Sequence, residues 1–78
     1  MMDYEDLIDS LQNEFDAYCD YNEIDDATDT HYERFIDMAE KRIEDMMTGG
    51  LDMKEAYDRY REEEMTADLE FILKAVED

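Results

Sequence analysis

One strong interruption of secondary structure occurs in this chain, the pair Gly49 and Gly50 in the stretch TGGLD. These are the only glycines among 78 residues, and the sequence has no proline. Glycine and proline are the residues that most reliably break helices and strands. Long uninterrupted elements are therefore expected on both sides of the pair, and one of the two glycines is expected to end a helix in the left-handed conformation.

The apolar residues before the glycines recur at helical spacing. A first helix is predicted over residues 3–21, because its apolar positions step by three and four, as in helices that pack against helices. Residues 22–29 are predicted to connect it to a second helix over residues 30–47, which Thr30 and Glu33 would begin as a capping box. The apolar positions of the two helices are Tyr4, Leu7, Ile8, Leu11, Phe15 and Tyr18, and then Tyr32, Phe35, Ile36, Ala39, Ile43, Met46 and Met47.

A third helix is predicted from about residue 52, where Asp52 and Glu55 form a second capping box. Its apolar stripe changes phase near residues 62–68. Either one long or kinked helix runs to about residue 76, which we prefer because no glycine or proline interrupts it, or Thr66 caps a separate fourth helix. The first stripe holds Met53, Ala56, Tyr57 and Tyr60, continued by Phe71 and Ala75, and the displaced stripe holds Met65, Leu69, Ile72 and Val76. We expect a single all-α domain over residues 1–78, a three-helix up-and-down bundle with four helices as the alternative.

Charge is the second constraint, since 26 acidic residues face 7 basic ones and give a net charge of −19. Residues 1–33 contain 12 acids and no base, and the first base is Arg34. Self-repulsion of this size opposes compaction. A chain this short buries only about 60% of its unfolded surface, so we expect marginal stability that salt, a partner or self-association would increase. A homodimer is therefore one possible state of this protein.

The same composition excludes several classes of protein. Cys19 is the only cysteine, so no internal disulfide forms, which fits a reducing compartment. The N-terminal segment is acidic, unlike a signal peptide, and no apolar run approaches the ~20 residues of a membrane span. We expect a cytoplasmic protein, in the host cytoplasm if it is phage-encoded. Its charge disfavours direct binding to nucleic acid or an anionic membrane, so the expected partner is a basic protein.

The sequence matches no known pattern for metal binding or catalysis, because either the spacing or the number of the required residues is wrong. A calcium loop starting at Asp20 would put Ile24 at a ligand position, and one starting at Asp26 would put His31 where glycine is needed. A single histidine excludes zincin and di-iron sites, and His31 is expected to be exposed in the first turn of helix 2. Cys19 is expected to be half-buried, with its thiolate disfavoured by nearby carboxylates. We expect no enzyme, no catalytic residue, no metal and no cofactor.

The acidic surface carries the main functional prediction. On helix 1, a stripe of carboxylates about 22 Å long lies opposite the apolar seam. Like charges at this spacing destabilise a helix, whereas helix 2 has Arg34, Lys41 and Arg42 for relief, for example in a pair between Asp37 and Lys41. A helix face that served only solubility would carry both acidic and basic residues, so a functional reason for the all-acidic stripe is favoured. The predicted partner-binding residues are Glu5, Asp9, Asp16 and Asp20 of helix 1, and Tyr21, Glu23, Asp25, Asp26 and Asp29 of the connection.

Aromatic residues could supply specificity within this surface. Tyr4, Tyr21, Tyr57 and Tyr60, if partly exposed, could stack on arginine or fill pockets of a partner. Tyr21 and Ile24 of the acidic connection have two open placements, either under the turn as core or outward as contacts. The adjacent Met46 and Met47 cannot both point squarely inward, so one of them is expected to be exposed near the glycines.

Duplex DNA carries one negative charge per ~1.7 Å of its axis, and carboxylates along packed helices can imitate that array. In size, charge, helicity and tyrosine content, the whole chain resembles the small acidic DNA-mimic proteins, many of them phage-encoded inhibitors of restriction, CRISPR or repair enzymes. The resemblance implies a class, an inhibitor that occupies a basic nucleic-acid-binding groove, and no particular target. The alternatives are an antitoxin or immunity-type partner of a basic toxin, a non-enzymatic subunit of a larger phage or transcription assembly, and halophilic adaptation.

Overall fold

The computed structural model describes residues 2–74, which form four helices and no strand. They are α1 (Tyr4–Tyr21), α2 (Asp29–Thr48), α3 (Met53–Glu63) and α4 (Met65–Lys74). The all-α prediction is therefore confirmed for this part of the chain. The molecule measures 38 × 20 × 19 Å along its principal axes.

The core lies around α2, which packs against each of the other three helices. Phe15 of α1 is the aromatic centre of the α1–α2 contact, with its ring centroid 5.6 Å from that of Tyr32 and 5.8 Å from that of Phe35. Burial of each large apolar side chain stabilises the fold by about 1.5–3 kcal/mol. The buried apolar residues are Leu7, Leu11, Phe15, Phe35, Ala39, Ile43, Ala56, Tyr57, Tyr60, Met65, Leu69, Ile72 and Leu73.

Both α1 and α2 end in a Schellman motif, in which a left-handed residue is followed by an apolar one. At the end of α2, Gly50 has φ of 114° and donates its N–H to the Met47 carbonyl over 3.0 Å, while the Leu51 N–H reaches the Met46 carbonyl over 3.3 Å. Gly50 is thus the predicted glycine stop. Leu51 follows it and packs against the core, and Met46 and Met47 are both half-buried, so the expectation that one of them is exposed is wrong.

Glu23 occupies the same position at the end of α1 that Gly50 occupies in α2. Its φ is 55°, its N–H donates to the Asp20 carbonyl over 3.3 Å, and the Ile24 N–H donates to the Cys19 carbonyl over 2.8 Å. Ile24 is the apolar residue of the motif and packs against the core, which decides its placement. Tyr21, two residues before Glu23, is 88% exposed and stands outside.

The start of α2 corrects two predictions about its first turn. The helix begins at Asp29 with Thr28 as its cap, so Thr30 lies inside the helix and does not cap it. His31 then falls at the third helical position, where its Nδ1 accepts the Thr28 backbone N–H at 2.7 Å. The ring folds back over the cap and is 4% exposed. The expectation of a solvent-exposed His31 is therefore wrong, because the cap of α2 is Thr28, two residues before the predicted cap Thr30.

The helical region after the glycines is broken at Glu64. Asp52 caps α3 as predicted, since its carboxylate accepts the Glu55 N–H at 2.9 Å. At the break, the Glu64 N–H still reaches the Tyr60 carbonyl over 2.8 Å, yet α3 and α4 are separate helices. The Glu64 backbone, with φ of −128° and ψ of −26°, departs from helical geometry. Thr66 lies inside α4 and is not its cap. The predicted continuation through Ala75 and Val76 lies outside the described residues.

A polar network across three helices holds this break in place. Asp68 of α4, which is only 6% exposed, accepts the Arg42 Nε–H at 2.7 Å and the hydroxyl of the fully buried Tyr60 at 2.9 Å. Arg42 also donates through its terminal nitrogen to Glu64 at 3.2 Å. One guanidinium of α2 thereby binds the break residue and the buried carboxylate, and burial together with the Asp68 carboxylate raises the pKa of Tyr60 far above its usual value.

Candidate protein-binding surface

All nine residues predicted to bind a partner are exposed to solvent. Those on α1 lie at positions i, i+4, i+11 and i+15, so they share one side of the helix. None of the eight carboxylates in the set makes an ion pair with any of residues 2–74. The set therefore faces the solvent without a lysine or arginine of the described residues beside it in an ion pair.

The basic residues are engaged elsewhere. Six of the seven lysines and arginines form ion pairs within the described chain, and only Arg61 reaches α1, where its Nε lies 3.4 Å from Glu14, a residue outside the predicted set. The predicted pair of Asp37 and Lys41 is present at 3.5 Å. The other paired bases are Arg42 with Asp68 and Glu64, Lys54 with Asp58, Arg59 with Glu63, and Lys74 with Glu70.

Five carboxylates of the set gather where α1 meets the following connection. Burial first, and then the charges of Asp16 and Asp26, raise the pKa of the Cys19 thiol, so a helix carboxylate and a connection carboxylate both lie near this half-buried sulfur. The direction agrees with the prediction of a disfavoured thiolate, although burial is the larger cause. Around Cys19 and Ile24 a shallow depression is lined by three more acids of the set. We call these five residues the acidic cluster: Asp16, Asp20, Glu23, Asp25 and Asp26.

The remaining members of the set extend away from the acidic cluster. Asp9 lies near Tyr32 of α2, because burial first and then the charges of Asp16 and Asp9 raise the pKa of the Tyr32 phenol. Sequence periodicity placed Tyr32 among the core residues, and it is in fact half-buried at the edge of the acidic stripe. Glu5 lies in the first turn of α1, at the far end of that helix, and Asp29 is the first residue of α2.

Of the four tyrosines proposed as contacts, only Tyr21 stands free on the surface. Tyr57 and Tyr60 are buried in the core, so their assignment as contacts is wrong. Tyr4 is 56% exposed, but its hydroxyl donates a short hydrogen bond to Glu40 and ties α1 to α2. Tyr21 is 88% exposed and immediately follows Asp20 of the acidic cluster.

A second surface feature, which the sequence did not predict, lies between α2 and α4. Phe71 was placed in the core stripe of the last helix, yet it is 65% exposed. Phe71 was expected to continue the apolar stripe of α3. It lies in α4, beyond the break at Glu64, and that buried stripe does not extend to it. Phe71 lines a groove of about 280 Å³ with Met38, Ile72 and three charged residues of α2.

No helix within residues 2–74 is both long and apolar enough to cross a membrane. The same stretch of chain contains no group of three or more histidine, cysteine or acidic side chains arranged to hold a metal ion. Comparisons of the chain with protein-family models, with curated proteins and with solved structures find no match.

Proposed function

We propose that this protein is a non-enzymatic inhibitor that imitates the charge of nucleic acid and blocks the basic nucleic-acid-binding groove of a host defence nuclease, such as a CRISPR or restriction complex. Its scaffold would be an up-and-down helical bundle, and its place of action the cytoplasm of the host cell. The contact would be formed by the α1 stripe, the acidic cluster and Tyr21. The basic partner would be engaged directly, with no cofactor and no bound nucleic acid.

The observation that carries the proposal is how the bases are distributed. Six of seven bases neutralise acids on α1, α2, α3 and α4, and none of them pairs with the predicted contact residues. Carboxylates that are exposed and free of internal ion pairs can exchange their counterions for the lysines and arginines of a partner without first breaking a bond. The same one-sign field would accelerate encounter with a basic groove.

Tyr21 supplies the specific part of the proposed contact. A phenol ring offers a broad apolar face and a polar tip at low entropic cost, and aromatic residues with arginine dominate the energetics of many interfaces. Tyr21 is surrounded in sequence by acids of the cluster, so an arginine drawn to them could stack on its ring. We expect Tyr21→Ala to weaken binding by about 2 kcal/mol without changing its salt dependence.

The first test is capture of a partner from lysate of the host cell at about 50 mM salt, followed by measurement of its affinity up to about 500 mM salt. Under the proposal, the captured protein binds nucleic acid, duplex DNA or guide RNA competes with the inhibitor, and affinity falls by orders of magnitude across the salt range. A complex that forms equally well at both salt concentrations and alongside bound nucleic acid contradicts the proposal. A captured toxin that binds with no such competition would instead identify an antitoxin or immunity protein.

A matched pair of triple variants tests the location of the contact. Asp9→Lys, Asp16→Lys and Asp20→Lys together should abolish binding to the captured partner. The control variant, Glu44→Lys, Asp45→Lys and Glu62→Lys, changes the net charge by the same amount at exposed positions outside the predicted set, and it should retain most of the affinity. Equal losses in both variants would mean that overall charge, and not this surface, determines binding.

A further inference from the structure

We propose that the surface around Phe71 is a self-association face through which two copies of this chain form a reversible, two-fold symmetric dimer. The face is formed by the α2–α4 groove and the adjoining surface of α4, which share the Phe71 side chain. This inference is independent of the proposed function, because none of the nine predicted contact residues lines either part.

The exposure of Phe71 is the first observation that favours a partner at this face. Its ring is 65% exposed, and unlike the exposed Tyr4 and Tyr21 it has no hydroxyl group that water can solvate. The half-buried Met38 and the exposed Ala67 lie beside it along the same face. Covering this apolar surface is favourable at roughly 25 cal/mol for each Å² removed from water.

The charges on the face identify a second copy as the occupant. Three of the seven bases, Arg34, Lys41 and Lys74, line it together with two acids, Asp37 and Glu70. Each copy carries a net charge of −19, so a face with an average share of the charge would bring excess negative charge together. This face holds both signs in nearly equal number, and an isologous interface requires a patch that is complementary to itself.

Arg34 adds to the face a cation that has no ion pair among residues 2–74. It is exposed, and each of the other six bases makes at least one ion pair there. In a two-fold dimer, the Arg34 guanidinium of each copy can approach the acids of the opposite copy's face. The face comprises nine residues, fewer than the roughly 20–30 per partner of a standard stable interface, so the dimer is expected to be reversible.

Salt separates this dimer from the proposed binding of a basic target. Repulsion between two acidic molecules is screened by salt, so dimerisation should strengthen by about tenfold or more between about 50 and 500 mM salt, while binding to a basic partner weakens. Sedimentation equilibrium on the purified full chain measures the monomer–dimer constant over this range. A protein that remains monomeric at millimolar concentration and high salt overturns the proposal.

Two variants test whether Phe71 lies at the interface. Phe71→Asp should keep the helical content and reduce dimerisation by at least about tenfold, and a dimer that persists in this variant overturns the assignment of the face. Phe71→Cys in a Cys19→Ser background should form a disulfide-linked dimer on mild oxidation, faster than the control Tyr21→Cys in the same background. Equal rates of cross-linking in the two cysteine variants also contradict the proposal, and this measurement does not depend on the aspartate variant folding.

Discussion

Glu23 adopts a backbone conformation that side chains with a Cβ rarely take, with φ of 55°. At the end of α2 the corresponding left-handed residue is Gly50, which adopts this conformation at little energetic cost because it has no Cβ. Glu23 also places a carboxylate beside the C-terminus of α1, where the helix dipole is already negative. One exposed residue of the acidic cluster thus combines two unfavourable features, which the proposed function would account for if the Glu23 carboxylate contacts the partner.

Replacing Glu23 by glycine should therefore stabilise the protein. We expect Glu23→Gly to raise the free energy of unfolding by about 1 kcal/mol, because the left-handed residue loses its steric penalty. Urea denaturation followed by circular dichroism measures the change. Glu23→Ala separates the causes, since it removes the charge and keeps the Cβ, and a glycine variant no more stable than the alanine variant would contradict the backbone explanation.

The contacts that join the helices of this protein differ in how far they can be predicted from the sequence. Leu7, Leu11 and Phe15 recur at helical spacing in α1, and Phe35, Ala39 and Ile43 do so in α2. Both helices were predictable because burial of one face is a local pattern. The link between Arg42 and Asp68 spans 26 residues and has no local spacing rule. The sequence therefore located the helices and showed a change of phase near residues 62–68, but it left open whether the helix breaks there, where this link acts.

Breaking the link should reveal how much the α3–α4 arrangement depends on it. We expect Arg42→Met to lower the free energy of unfolding by about 2–3 kcal/mol, because the buried Asp68 carboxylate loses its countercharge. Lys41→Met is the matched control, since Lys41 makes only an exposed pair with Asp37 and its loss should change stability by less than about 0.5 kcal/mol.

A double variant tests the physical cause. Arg42→Met combined with Asp68→Asn leaves no charge buried and keeps an oxygen that can accept the Tyr60 hydroxyl, so it should be more stable than Arg42→Met alone. Chemical denaturation of Arg42→Met, Asp68→Asn and the double variant under one set of conditions gives the comparison. Losses that simply add would mean that the ion pair is not the interaction that holds α4 against α2.

The same contrast between local and distant causes applies to the candidate surfaces. The α1 stripe was predictable because its carboxylates follow helical spacing, and Gly50 was predictable because glycine favours left-handed backbone. The burial of His31 and the exposure of Phe71 were not, because the first depends on where α2 begins and the second on how α4 is oriented after Glu64. The first follows from which threonine caps α2, where the sequence offered two. The second is set by packing between helices, which a pattern within one segment does not record.

For the molecule as a whole, the central quantity is the free energy lost to charge repulsion. The net charge is −19, and the α1 stripe and acidic cluster have no internal ion pairs within residues 2–74. Self-repulsion destabilises the compact state and is screened by salt. We therefore expect the midpoint of thermal unfolding of the isolated protein to rise by several degrees, roughly 4–8 °C for each kcal/mol recovered, as salt increases from about 20 to 500 mM.

The two lysine triple variants turn this expectation into a test of why the charge is present. Asp9→Lys, Asp16→Lys and Asp20→Lys should raise the midpoint at low salt more than the control triple does, because they also remove like-charge neighbours on α1 and place cations near its C-terminus. The gain should shrink as salt rises. A variant that is more stable yet no longer binds a partner is what a surface kept for function predicts. The contrary result is a wild-type midpoint that is independent of salt and an Asp9, Asp16 and Asp20 lysine variant that is no more stable. Repulsion would then not lower the free energy of unfolding, and stability would give no reason to think that these carboxylates are retained for binding.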